Sequence, residues 1–315
     1  MSEEKIAQSA ASAATAPSAG GSASEPRWTV RSMLAWSRDW LAKKGIENPR
    51  LDAELLLANA LQVARIKLYV DHDKPLEGSE LARFKSLILR RAEREPVAYL
   101  LGTKEFYGRP FAVDKRAFIP RPETELLVQA LLADLSRRHP EIGAAGALRV
   151  LDLCAGSGAI GATLAAERAD LTVDLVELSP ETAEVTRANA QAIAPERTRV
   201  LVGDLFAPLS AGTRYDAVAT NPPYIPLRDA HELAPEIARH EPRLALFSGD
   251  DGLDLIRRIV VEVPRWLVPG GLLALELDPS QAESAIALCS AAGLVGARIE
   301  KDLAGLARIL LAQAP

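Results

Sequence analysis

The sequence predicts a doubly wound α/β domain on a mainly parallel, seven-stranded sheet, preceded by a small all-α bundle and a linking β-hairpin. Three observations predict it. An apolar run, Leu148 to Leu153, passes directly into a glycine loop and then into a helical pattern. Strand-like and helical stretches alternate from there towards the C-terminus. Four successive strands end on glycines or polar residues, where open α/β sheets hold their ligands.

The chain has 315 residues, 48% hydrophobic and 25% charged, which is ordinary globular composition. Its formal net charge is -5 and its pI about 5.6. That balance weakly disfavours a partner gripped through phosphates, which calls for a basic face. Cys154 and Cys289 are the two cysteines, far apart and without metal-ligand spacing. No disulfide framework and no metal are expected, and a reducing cytoplasm fits. No apolar run approaches the roughly 20 residues that span a bilayer. Residues 1–26 are rich in Ala, Ser and Gly without apolar periodicity and are expected to be a disordered tail. They lack the basic start and apolar core of a secretory signal.

Residues 27–99 read as helical. Val30, Met33, Leu34, Trp36, Ser37, Trp40 and Leu41 form an amphipathic stripe that Gly45 ends. Leu51, Leu55, Leu56, Ala58, Asn59 and Leu61 to Val63 mark a second helix. Ser79 is positioned to cap a third, carrying Leu81, Phe84, Leu87, Ile88 and Arg91. Three to five helices are expected. Lys43, Lys44, Arg83, Lys85, Arg90, Arg91 and Arg94 make this part locally basic. A solvated helix face accounts for most such clusters; a docking surface for a macromolecular substrate is the functional alternative.

Residues 100–121 change character. Alternating aromatics flank a turn at Tyr107-Gly108-Arg109-Pro110, as in a short hairpin joining two domains. Pro120-Arg121-Pro122 then makes a rigid approach to a helix starting near Glu123. Phe118 and Arg121 are fixed just ahead of it, and taken alone they are a hydrophobic plug and a surface arginine.

The second domain, residues 122–315, begins with that helix. The run Leu148–Leu153 suits a parallel strand buried on both faces. Gly156, Gly158 and Gly161 follow with G-x-G-x-x-G spacing, in the strand–turn–helix context the motif requires. Glu177 closes the next apolar strand, 21 positions beyond Gly156, the spacing that sets a carboxylate beside ribose hydroxyls. A nucleoside-containing cofactor is implied, and a dinucleotide-dependent dehydrogenase shares this signature. Further strands are expected at Thr198–Asp204, Tyr215–Thr220, Gly271–Leu277, Val295–Asp302 and Ala307–Gln313. Helices are expected at Ala159–Arg168, Pro180–Ile193 and Gly252–Leu267.

One strand end is chemically distinctive. Tyr215–Ala219 runs into Thr220-Asn221-Pro222-Pro223-Tyr224-Ile225-Pro226. Neither Pro222 nor Pro223 has an N–H to donate, and each biases the residue before it towards an extended conformation. The stiff turn leaves the Asn221 side-chain oxygen and the Pro222 carbonyl as acceptors, with the Tyr224 ring beside them. Two acceptors and a flat ring suit a planar –NH2 group. A proline-rich loop closing a strand is the plain alternative, since short motifs match by chance.

The whole combination resembles the class I S-adenosylmethionine-dependent methyltransferases, with their Rossmann-like doubly wound, seven-stranded methyltransferase sheet. More narrowly, it is similar to the HemK/PrmC family of protein glutamine-N5 methyltransferases. The resemblance runs from about Trp28 to the end. It rests on "FIPRPETE", "LDLCAGSGAIG", "VELSP", "GDLF", "NPPYI", "EPRLALFSGDDGLD" and "KDLAG". The first and the sixth are more particular than NPPY, which amino-methylating DNA and RNA enzymes share. Four places depart from the family pattern. Cys154-Ala155 stands where Gly-Thr is usual, Leu205 where relatives can carry an aromatic residue, Glu276-Leu277-Asp278 for Glu-x-Gly, and Ala307 where a charge is common.

The resemblance implies that Cys154, Ala155, Gly156, Ser157 and Gly158 line the methionine end of S-adenosylmethionine. It implies that Glu177 binds the ribose and that Asp204 and Leu205 flank the adenine. Phe118 and Arg121 help close the pocket, and Asn221 to Tyr224 (Asn221, Pro222, Pro223, Tyr224) hold the substrate amide beside the cofactor. The implied substrate is the glutamine of the Gly-Gly-Gln loop in class I peptide-chain release factors, gripped partly by the helical domain. A monomer is expected, with no direct nucleic-acid or membrane partner. A nucleic-acid methyltransferase acting on a flipped base is disfavoured by the acidic pI. A dinucleotide oxidoreductase leaves Asn-Pro-Pro-Tyr without a purpose, and a non-catalytic adaptor leaves Asn221 and Glu177 without one. His72, His139, His231 and His240 read as surface residues, consistent with chemistry that needs no strong base.

Overall fold

The chain is described here by a computed structural model covering residues 28–143 and 147–315; the expected tail over 1–26 lies outside the described residues. The described chain divides into two compact units, meeting in sequence at Leu101 and Gly102.

The first unit carries helices α1 (Val30–Lys43), α2 (Pro49–Leu61), α3 (Lys67–Val70), α4 (Gly78–Ala92) and α5 (Val97–Leu101). Thr29 and Ser32 form a reciprocal capping box that starts α1. Val30, Met33, Ser37 and Leu41 are its buried stripe, and Trp36 instead stands partly exposed, stacked on Trp40 at 5.5 Å between ring centroids. Glu77 caps α4 through a capping box with Glu80, so Ser79, expected as the cap, lies inside the first turn. Leu41, Leu56, Leu57, Phe84 and Ile88 fill the core. Several of the basic residues serve this unit itself. Arg91 is buried in an ion pair with Asp52 at 2.7 Å, Arg90 pairs with Glu95, and Arg83 and Arg94 donate to the carbonyls of Ala60 and Lys44.

The second unit opens with a hairpin, β1 (Thr103–Phe106) and β2 (Arg109–Ala112), in antiparallel register from Thr103↔Ala112 to Phe106↔Arg109. Tyr107 and Gly108 make its two-residue turn, both at positive φ, as the twist of a hairpin favours. Leu101, placed with the hairpin by sequence, is the last residue of α5. Helix α6 (Thr124–Arg138) follows.

The main sheet contains β3 (Leu148–Leu153), β4 (Leu171–Glu177), β5 (Thr198–Val202), β6 (Tyr215–Thr220), β7 (Leu267–Glu276), β8 (Val295–Lys301) and β9 (Ala307–Gln313). Their order is β5-β4-β3-β6-β7-β9-β8. Strands β3 to β7 run parallel, and β9 and β8 complete an antiparallel edge. This is the expected doubly wound, seven-stranded sheet. Helices α7 (Ala159–Glu167) and α8 (Pro180–Ile193) lie where the sequence placed them. Two apolar clusters cover the two faces, one around Leu127, Val150 and Leu164, the other around Leu151, Ile256 and Leu273.

Three expectations shift. Strand β7 begins at Leu267 rather than Gly271. The helix expected over Gly252–Leu267 is only Asp254–Glu262, continued by a 3-10 turn at Val263–Arg265, because Pro264 has no N–H for a helical ladder. Between β6 and that helix lie three short elements the periodicity did not announce, at Leu227–Glu232, Pro235–His240 and Arg243–Ala245. A helix at Ala282–Ala291 was likewise not expected. The strand order reverses at β3, which has β4 on one side and β6 on the other, so a crevice opens beyond the C-terminal ends of β3 and β6.

Candidate functional site

A cavity of about 500 Å³ occupies that crevice. Of the residues the sequence singled out, Phe118, Cys154, Ala155, Gly156, Ser157, Glu177, Asp204, Leu205, Asn221, Pro222, Pro223 and Tyr224 line it. Gly158 and Arg121 stand outside the lining, and none of the four histidines reaches it.

The floor is the loop after β3. Cys154, Gly156 and Gly158 all have positive φ, 57°, 54° and 80°. Cys154 therefore holds a left-handed conformation that costs an L-residue roughly 1–2 kcal/mol. Ala155 N–H donates to the Val176 carbonyl, and Gly158 N–H to that of Ala155. Gly161 lets α7 close on the sheet: a Cβ there would lie 2.8 Å from Leu175 and 2.9 Å from Asp152 Oδ2. The Gly161 N–H instead donates to Asp152 Oδ2 at 2.8 Å. Burial pushes the Asp152 carboxyl up to about 7, against the pull of the Gly161 N–H and with the charge of Glu177 adding to the rise. Burial also pushes the Cys154 thiol up to about 12, so it stands as a neutral wall group.

The end of β4 supplies Glu177. Its two oxygens accept backbone N–H groups from Gly156 and Ser179, each at 2.9 Å. Each oxygen keeps a further lone pair, so the carboxylate is fixed and still able to accept two hydroxyls. Beyond β5, Asp204 is ion-paired with Arg258 at 2.6 Å, and both line the cavity.

The end of β6 supplies the turn. Asn221 donates through Nδ2 to Thr124 Oγ1 at 3.2 Å. Among the described residues, no donor reaches Asn221 Oδ1 or the Pro222 carbonyl. The Tyr224 hydroxyl donates to Glu276 Oε1 at 3.4 Å. Burial, with Glu276 opposite, raises the phenol well above its ordinary value. Glu276 itself is 2% exposed, and burial pushes it up to about 7; the Thr124 hydroxyl and Tyr224 favour its charged form.

The segment after the turn is clamped from outside. Ile225 bridges to Phe247 in parallel fashion, and Ser248 N–H donates to the Ile225 carbonyl. Gln281 Nε2 donates to the Tyr224 carbonyl at 2.9 Å. Gly252, at φ +78°, passes so close to that carbonyl that a Cβ would collide with it. Pro242, Leu244 and Phe247 complete the rim with Phe118, over whose ring the Arg121 guanidinium stacks at 4.6 Å.

Sequence reasoning did not single out Thr124, Glu241, Gly252, Arg258 or Gln281 as functional. Thr124, Glu241 and Gly252 lay within the family-like blocks, which was their signal; Arg258 and Gln281 sit on helical stretches and had none.

The chain matches two family models, "PrmC N-terminal domain" over residues 32–102 and "Methyltransferase small domain" over residues 123–243. The release factor glutamine methyltransferase of Geobacter sulfurreducens is 42% identical over 283 residues, 90% of this chain and 96% of the relative. That of Leptospira interrogans is 38% identical over 285 residues, 90% and 97% of the two chains. That of Bordetella pertussis is 41% identical over 272 residues, 86% and 97%.

Proposed function

The chain belongs to the release factor glutamine methyltransferase family, and on that premise we propose how its cavity and its Asn221 turn carry the activity. The enzyme transfers a methyl group from S-adenosylmethionine to the side-chain amide nitrogen of a glutamine in a class I peptide-chain release factor, within the Gly-Gly-Gln loop. The cavity is of a size that suits such a cofactor. Glu177 holds the ribose hydroxyls. Cys154 to Ser157, with Gly158 behind them shaping the loop, line the methionine end. Leu205 and Asp204 flank the adenine, with Arg258 balancing the Asp204 charge, and Phe118 closes the mouth. When bound, S-adenosylmethionine supplies an electrophilic methyl group on a sulfonium.

The protein's part is orientation. An amide nitrogen is a weak nucleophile because its lone pair is delocalised into the carbonyl. Asn221 Oδ1 and the Pro222 carbonyl accept its two N–H groups and aim the nitrogen, while Tyr224 bounds the slot. Positive charge grows on nitrogen as the methyl arrives, so both hydrogen bonds strengthen in the transition state. The N-methylated cation is acidic and gives its proton to water, so no histidine is required. The observation that carries this reading is the unpaired acceptor pair beside a cavity with a fixed carboxylate opposite.

We read the enzyme as a cytoplasmic monomer whose helical unit helps grip the release factor, without a nucleic-acid or membrane partner. No helix among the described residues is long and apolar enough to cross a membrane. The test is incubation with methyl-labelled S-adenosylmethionine and a class I release factor, followed by mass spectrometry. One added methyl on the Gly-Gly-Gln glutamine is the expected product. Label confined to another residue, or to RNA, overturns the assignment.

A further inference from the structure

Two side chains of opposite charge share one wall of the cavity, Asp204 after β5 and Arg258 on the helix Asp254–Glu262. The backbone around Asp204 is fixed: Gly203 N–H donates to the Glu177 carbonyl, and the Asp204 carbonyl accepts the Ala207 N–H, both at 3.0 Å. The Asp204 side chain is half-exposed, so without a partner its carboxylate is free to swing. Arg258 is that partner. Its Nη2 donates to Asp204 Oδ2 at 2.6 Å, across 54 positions of chain. The neighbouring Arg257 turns the other way, to Asp251 and Asp254. Glu262, one turn further along the helix, accepts instead from Trp266 Nε1 at 3.3 Å. Leu255 stands one turn before Arg258 on the same helix face and also lines the cavity. Among the described residues, no donor reaches Asp204 Oδ1. The ion-paired carboxylate therefore shows the cavity one free acceptor and no donor.

Purines differ at C6, where adenine carries an –NH2 donor and the 6-oxo purines a carbonyl acceptor. A carboxylate held with one oxygen free takes the first and repels the second. The pairing with Arg258 acts in three ways. It aims Oδ1. It compensates the carboxylate when a purine covers it, since a lone charge withdrawn from water is costly. It also engages the guanidinium, whose N–H groups would otherwise serve a 6-oxo purine. We propose that Arg258 is a positioning residue that holds Asp204 as an acceptor and so sets the preference for a 6-amino purine in the cofactor. The proposal rests on the reading of Asp204 as a wall of the adenine site.

The test is calorimetry of the full-length enzyme with S-adenosylhomocysteine, its 6-hydrogen purine analogue and its 6-oxo, inosine analogue. Wild type should bind the 6-amino ligand about ten- to a hundredfold more tightly than the 6-hydrogen one, the worth of a hydrogen bond to a charged group. Asp204→Ala should bring that ratio close to one. The freed Arg258 should there favour the 6-oxo ligand over the 6-hydrogen one. Arg258→Met should lower the 6-amino to 6-hydrogen ratio several-fold. Arg258→Lys, which keeps the charge without the rigid fork, should fall between Met and wild type. Both residues are half-exposed, so these substitutions leave the core intact. A purely structural role for Arg258 would weaken both ligands alike and leave the ratio unchanged. A wild-type ratio in Arg258→Met overturns the proposal; if Asp204→Ala still collapses the ratio, the adenine placement survives. A wild-type ratio in Asp204→Ala overturns that placement and the proposal with it. If the wild-type enzyme binds none of the three ligands, the cofactor reading itself fails.

Discussion

Arg121 and Glu241 form an ion pair across 120 positions of chain, with the Glu241 carboxylate buried and also accepting the Ile119 N–H at 3.3 Å. The pair ties the segment before α6 to the segment that carries Leu244 and Phe247 over the cavity. Those segments are the two sequence blocks most particular to the family. Removing the arginine strands a buried carboxylate, which typically costs about 3 kcal/mol or more. Arg121→Ala should therefore lower stability to denaturant by that order. Adding Glu241→Gln should recover part of the loss, because the uncompensated charge is gone. Equal stability of Arg121→Ala and wild type would show that the pair does not hold these segments.

Cys154 occupies a left-handed conformation of the kind glycine adopts without strain. Glycine removes the strain but adds freedom to the unfolded chain, so the two effects nearly offset. Cys154→Gly should change stability by less than about 1 kcal/mol and leave cofactor affinity intact. Cys154→Val, β-branched and clashing at positive φ, should cost about 2 kcal/mol or more. Thermal melting with and without S-adenosylmethionine checks both.

Gly252 touches the Tyr224 carbonyl from behind the turn. Gly252→Ala forces the carbonyl, and with it Asn221 and Pro222, out of place. A displacement of this order near reacting groups costs about a hundredfold in rate. The cofactor site lies across the cavity, so its affinity should hold. A single-turnover assay beside calorimetry separates the two; an unchanged rate would mean that the turn tolerates movement.

Asp152 gives the fold a pH dependence with a definite sign. Its ordinary value is near 4, and in the folded protein burial pushes it up to about 7. Between those values the folded state holds a proton that the unfolded state has released. The contribution is thus fully present below about pH 4, falls as pH rises, and is lost above about 7. The span corresponds to roughly 4 kcal/mol. Asp152→Asn removes this dependence and keeps an acceptor for Gly161. Relative to wild type, the variant should gain stability between pH 5 and pH 8; a constant difference across that range would contradict the assignment.

Much of this was legible in the sequence because its signals are local. Leu148–Leu153 with Gly156, Gly158 and Gly161 is a strand, a turn and a close helix approach within 14 residues. Asn221-Pro222-Pro223-Tyr224 encodes its own stiffness. What escaped depends on long-range placement. Thr124 comes from the start of α6 and Glu276 from the end of β7, and only the fold brings the first to Asn221 and the second to Tyr224. The short elements between Leu227 and Ala245 escaped because periodicity needs length, and each is six residues or fewer. Ser79 failed as a cap because Glu77 and Glu80 together satisfy the same backbone groups.

The central claim is that Asn221 accepts a hydrogen bond from the glutamine amide as the methyl group is transferred. The direct measurement is the single-turnover methyl-transfer rate of Asn221→Ala on an intact release factor, with cofactor affinity determined on the same preparation. Loss of one transition-state hydrogen bond in a water-excluded site costs about 3–4 kcal/mol. The rate should fall a few hundredfold, with cofactor affinity changed far less. A wild-type rate in Asn221→Ala would contradict the claim.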